Sequence, residues 1–155
     1  MSVVITDKPF LPEALHAEFR ARLGGDVGAI TAFTGVVRDS EDSRDDVETL
    51  TLSHYPDFTE KQIEAMGEAA MQRWPITAWH ITHRVGQMKP KEPIIFVAVA
   101  SKHRRASFEA ADFLMDYLKS EAPFWKQEKR AGEQDWIEPR AQDIEDKSRW
   151  QKTER

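Results

Sequence analysis

Two lysines, Lys119 and Lys126, bracket the segment LKSEAPFWK. Lys126 comes straight after Pro123, Phe124 and Trp125, where a chain normally turns inward. Partial burial there would lower the amine's pKa and make it a usable base or nucleophile. A lysine stem lying along apolar surface with its head in water fits the same residue types. A second set of candidates is SKHRR, Ser101 to Arg105, placed between a strongly apolar run and an amphipathic one. At a strand-to-helix junction, backbone N–H groups and cationic side chains converge on anions. Arg104 offers a bidentate grip on phosphate, and His103 a hydrogen bond or a proton. The plainer alternative is a hydrophilic turn. Arg38 closes FTGVVR at a strand end, and Lys119 stands where a cation complements a helix C-terminus.

Other chemistries lack their residues. The chain has no cysteine, which excludes disulfides, thiolate metal sites and a cysteine nucleophile. Any sulfur chemistry would need sulfur from another molecule. The five histidines show no metal-ligand spacing, and His80 and His83 fall on opposite faces of a strand, so no metal site is expected. No serine sits in a G-x-S-x-G setting, and there is no GxGxxG, P-loop or HExxH. Net charge is −5, which argues against nucleic-acid binding. Within that acidic total, three cations and a histidine in five residues suggest a confined anion site. The apolar run from Ile94 to Ala100 is far below a membrane span, and MSVVITDKPF lacks the pattern of a signal peptide. A reducing cytoplasm is the expected compartment, with no membrane association.

The elements that must position these residues follow from periodicity. Val3–Ile5, Val27–Val37, Glu48–Tyr55 and Ile76–Val85 read as strands, and PIIFVAVAS as a strand buried on both faces. Pro12 opens a helix to about Leu23. Thr59 and Gln62 make a capping box for a helix with the stripe Ile63, Met66, Ala70 and Trp74, which Pro75 ends. Ala106 to Ser120 is a helix with Phe108, Ala111, Leu114, Met115 and Leu118 on its apolar side. After Pro123, Phe124–Lys129 is extended, with Trp136–Ile137 a further strand candidate outside the main order. The order is β-α-β-β-α-β-β-α-β, an α+β sandwich. At 155 residues one domain is expected, over 1–140. Residues 141–155 are almost all polar apart from Trp150 and read as a tail, frayed or disordered without a partner.

The stretches AFTGVVRD, LTLSHYPDFTEK, RWPITAWHITHRVG, VAVASKHRRASFEAADFLMDYLKSEAPFWKQE and WIE together resemble the catalytic, large subunit of molybdopterin synthase. The resemblance runs from about Val27 to Arg140. It implies an α/β hammerhead-type fold of mainly antiparallel strands with inserted helices. It implies a sulfurtransferase that installs two dithiolene sulfurs on cyclic pyranopterin monophosphate, with no permanently bound cofactor. The sulfur would arrive as a thiocarboxylate on the Gly-Gly C-terminus of a ubiquitin-like small subunit. A homodimer of large subunits within a heterotetramer is implied as well. By the motif match, Lys119 and Lys126 are the catalytic lysines. Val36, Val37, Arg38, His103, Arg104, Gln127 and Glu128 join them in holding substrate. Phe33 and Met115 line the pocket, and Arg140 matches a family arginine.

Overall fold

The structure is a computed structural model that describes residues 2–39, 47–130, 133–137 and 140–151. In chain order the elements are β1 (Ser2–Thr6), α1 (Pro12–Ala21), β2 (Ala29–Val36), β3 (Val47–His54), α2 (Phe58–Arg73) and β4 (Ile76–Arg84). They continue as β5 (Gly86–Met88), β6 (Pro93–Ser101), α3 (Arg104–Ser120), β7 (Phe124–Arg130), β8 (Glu133–Ile137) and α4 (Ala141–Ser148). Two four-stranded sheets result, ordered β1-β4-β6-β2 and β5-β3-β7-β8. Among the described residues only the β1–β4 pairing is parallel. This is the α+β arrangement of mainly antiparallel strands with inserted helices that the sequence implies.

β6 is the backbone of the core. Its residues from Ile95 to Ser101 are all buried, because α2 and α3 cover one face and α1 the other. That is why PIIFVAVAS lacks a polar alternation. On the α2–α3 side, Trp79 lies so close to α2 that a Cβ on Gly67 would come within 2.0 Å of the indole. Glycine is required there by close approach, not by backbone conformation.

The start of α2 differs from expectation. The N-cap is Asp57, in a left-handed conformation (φ 66°), and its side chain makes no cap bond. Thr59 lies inside the helix, fully buried; its hydroxyl accepts from the Tyr55 N–H (3.0 Å) and donates to the Pro123 carbonyl (3.1 Å). Thr59 therefore anchors the turn that launches β7, rather than capping its own helix. Phe108, assigned to the apolar stripe of α3, is 56% exposed.

The C-terminal segment also departs from the frayed tail. Ala141–Ser148 is helical and docks on α3. One aromatic residue anchors it: the Trp150 ring meets Trp74 (5.5 Å) and Phe113 (5.8 Å) edge-on, with the Arg73 guanidinium over the same rings. Composition alone could not show this, since a single large side chain supplies most of the apolar contact.

Candidate active site

The strand alternation of β7 explains why an amine follows APFW. Phe124, Lys126 and Glu128 share one face, and their partners across the ladder are His54, Leu52 and Leu50. Leu50 and Leu52 are buried core residues. Lys126 thus leaves the inner face of its sheet, beside Leu52 and Phe124. Its foundation is stiff: the imidazole of His83, from β4, stacks on Phe124 with centroids 4.0 Å apart and planes inclined by 18°. His83 donates from Nδ1 to the Arg84 carbonyl at 2.9 Å, if the neutral tautomer carries its proton there. Burial holds its pKa down to about 4, with the nearby Lys126, Lys119 and His54 charges pushing the same way. The ring is neutral at physiological pH.

Lys119 arrives from the last turn of α3, close enough for its positive charge to act on the Lys126 amine. The Lys126 amine is lowered from 10.5 to about 8, first by burial, then by the positive charge of Lys119; Asp143 and Glu128 oppose the shift. Two amines, one of them dried by Leu52 and Phe124, share a small space. One can be an ammonium while the other carries a free lone pair. The pair can therefore bind an anion, and with Lys126 at about 8 a minor fraction, about a tenth at pH 7, is free to accept a proton.

The remaining candidates divide by position. Val37 packs in the cluster of Leu50, Leu52, Val85 and Met88, with Phe124 at its edge, so Arg38 leaves the sheet at the lysine end. Met115 lies one turn before Lys119 on α3 and packs on the main core. Phe33, 43% exposed, shares the α3-facing side of β2 with Thr31, whose hydroxyl bonds Ser107 of α3 at 2.9 Å.

His103 and Arg104 lie elsewhere. His103 is the N-cap of α3 and Arg104 its first residue. Fifteen residues of helix separate Arg104 from Lys119, about 22 Å at 1.5 Å per residue. The register agrees: Ala29 pairs with Ser101 and Val36 with Pro93, so the Arg38 end of β2 is far from the SKHRR end. A single pocket walled by all these cations is not what one chain builds.

Four further candidates are placed as follows. The Val37 side chain is buried, its N–H bonds the Glu92 carbonyl (2.9 Å) and its carbonyl accepts from Lys91 (2.7 Å), so it is a structural residue. Val36 is half exposed and offers at most its backbone. Gln127 points from the face of β7 opposite Lys126, as alternation demands. Arg140 is the exposed N-cap of α4, with its Nε 3.6 Å from Asp143.

The sequence reading missed the roles of His83 and Asp143. Period-two alternation from His80 could have placed His83 on the inner face. Asp143 had no such signal, because its segment read as a polar tail.

The class of protein is thereby defined: a two-sheet α+β protein with a desolvated lysine on an inner strand face, beside a second lysine at the end of a helix. The pattern for the MoaE protein matches residues 5–121. The molybdopterin synthase catalytic subunit of Pseudomonas aeruginosa is 46% identical over 138 residues, covering 89% of this chain and 88% of that one. Among solved structures, molybdopterin cofactor biosynthesis protein E from Burkholderia multivorans superposes with a TM-score of 0.80 at 37% identity, over 97% of this chain and 96% of that one. Molybdopterin synthase from Staphylococcus aureus gives 0.77 at 28% identity, over 88% and 95%. The chain belongs to the MoaE family, and the catalytic subunit from Pseudomonas aeruginosa is similar to it along most of its length.

Proposed function

We propose that this chain is the catalytic subunit of a molybdopterin synthase and transfers sulfur at the Lys119–Lys126 pair. The observation that carries the reading is the Lys126 amine, held at about 8 beside a second amine on the inner face of β7. Its substrate is cyclic pyranopterin monophosphate, and its sulfur donor the thiocarboxylated Gly-Gly terminus of a ubiquitin-like small subunit. Both are anions, and a chain without cysteine must import its sulfur. The protonated member of the pair holds the thiocarboxylate. The thiocarboxylate sulfur, already an anion, bonds to a precursor carbon as a carbon–oxygen bond there breaks. Water then cleaves the acyl–sulfur bond, returning the partner's terminus as a carboxylate, and the neutral member accepts that water's proton. Positive charge already in place stabilises negative charge that develops on the departing group.

His103 and Arg104 fit this reading through a second copy. One chain keeps them about 22 Å from its own lysines, so in a homodimer of large subunits each chain lends its SKHRR end to the phosphate held near the lysines of the other. With small subunits bound, the assembly is a heterotetramer. Among the described residues no helix is long and apolar enough to cross a membrane. A reducing cytoplasm suits a cysteine-free chain that handles a thiocarboxylate.

The test supplies precursor and thiocarboxylated partner and measures dithiolene product. Lys119→Ala should lose nearly all turnover while keeping its fold. Near-normal turnover in that variant would remove the lysine pair from the chemistry.

A further inference from the structure

The lysine pair has an acidic neighbour that does not come from its own strand or helix. α4 runs back along α3, as three contacts fix. Arg149 binds Asp112 and Asp116, each at 2.7 Å. Trp150 Nε1 donates to Asp116 and the ring packs on Phe113. Lys147 pairs with Glu121, the C-cap of α3. From Arg149 to Lys147 the contacts thus advance along α3 from residues 112–116 to residue 121. Asp143 lies one helical turn further on, on the same face as Lys147. That places it beyond the end of α3, close enough for its charge to act on Lys126. Its side chain is mostly buried, at 17% exposure; it accepts from the Arg140 N–H at 3.3 Å and lies 3.6 Å from the exposed guanidinium Nε of the same residue, a second cation that shares its charge.

We propose that α4 is a clamp that presents Asp143 as the counter-ion of the Lys119–Lys126 pair, with Arg149 and Trp150 as the positioning residues that hold it there. The inference rests on the functional reading above for its consequence, but not for its geometry. The charged and titratable groups facing Lys126 are Lys119 from α3, Glu128 from β7 itself, Asp143 from α4 and His83 from β4, with His54 of β3 beside His83. Of these, Asp143 and Glu128 favour the ammonium. Asp143 alone reaches the pair from a segment held by side-chain contacts. The clamp therefore sets how much neutral amine the site holds.

The experiment titrates Lys126 by NMR in lysine-labelled, substrate-free protein. Asp143→Asn keeps an acceptor for the Arg140 N–H and removes the charge. Its Lys126 midpoint should fall below the wild-type value by about half a unit or more, roughly a threefold gain in neutral amine at pH 7. Asp143→Glu should restore most of the difference. In a Trp150→Ala background, which frees α4, the same Asp143→Asn change should no longer move Lys126, because the carboxylate is already gone from the site. The acid limb of the turnover–pH profile should follow the midpoint in Asp143→Asn. An unmoved midpoint in Asp143→Asn would overturn the proposal, as would an undiminished effect in the Trp150→Ala background. A midpoint that moves while the turnover profile stays fixed leaves the counter-ion standing and counts against the catalytic reading of Lys126.

Discussion

Lys126→Met should make the protein more stable at neutral pH, by a margin that disappears in alkali. The folded-state pKa of Lys126 is about 8 against an ordinary 10.5. Below pH 8 both folded and unfolded chains carry the ammonium, and the folded chain bears the full cost of holding it beside Leu52, Phe124 and Lys119. Between 8 and 10.5 the folded chain sheds the proton first, so the unfolded state binds more protons and stability rises with pH. Above 10.5 both are neutral and the cost is gone. A difference of about 2.5 units, at ~1.36 kcal/mol each, makes that cost about 3 kcal/mol. Methionine keeps an unbranched stem and brings no charge. The variant should gain up to about 3 kcal/mol at pH 7, a shift of about 1 to 2 M in the urea midpoint. The gain should close to near zero by pH 10.5. Tryptophan fluorescence follows the transition, and subtracting the wild-type curve at each pH removes the other titrations. A variant less stable than wild type at pH 7, or a gap equal at pH 7 and pH 10.5, would refute a charged amine held in a dry place.

Two other outcomes follow from the same geometry. His83 is lowered from 6.5 to about 4, so its contribution is fully present above pH 6.5 and is lost as pH falls through the window to 4, a swing of about 3 kcal/mol. His83→Gln cannot take the proton, and its stability should fall less between pH 7 and pH 4 than that of wild type; parallel losses in urea titrations would count against a buried neutral ring. Mixing Lys119→Ala with Arg104→Ala chains, dissociated and reassembled, should recover about a quarter of wild-type turnover. Half the dimers would be mixed, and each would carry one site with both groups intact. No recovery from chains shown to have exchanged would place His103 and Arg104 outside a shared site.

The parts of this fold that were legible in the sequence are those where one physical demand dominates. β6 has to be apolar on both faces because helices cover both, and its nine residues show it. His80 and His83 separate by strand parity alone. His80 bonds Ser2 (2.7 Å) and Thr82 (2.7 Å) on the α1 side, while His83 turns to Phe124. Where two demands competed, local pattern misled. Thr59 and Gln62 match a capping box, but the Thr59 hydroxyl is claimed by Tyr55 and Pro123. The tertiary partner lies 64 residues away, beyond any window. The C-terminal segment fails as a tail for the converse reason: its composition is polar, yet Trp150 finds Trp74, Phe113 and Arg73 already arranged around it.

The candidate site shows the same division. Burial of Lys126 is a consequence of parity: it stands two residues from Phe124 and opposite Leu52, so an extended chain must aim it inward. The separation of the two cation groups was equally within reach, since His103–Arg104 and Lys119 cap the two ends of one unbroken helix. Helix rise alone puts them about 22 Å apart. What no local rule supplies is the acid. Lys126 is close to neutral pH because burial and Lys119 pull its affinity for protons down while Asp143 and Glu128 hold it up. Glu128 is written into the strand, two residues on. Asp143 depends on a helix whose docking rests on Trp150 and Arg149 gripping α2 and α3. The amine's working pKa is therefore a tertiary property, and substitutions at the clamp should retune it without touching either lysine.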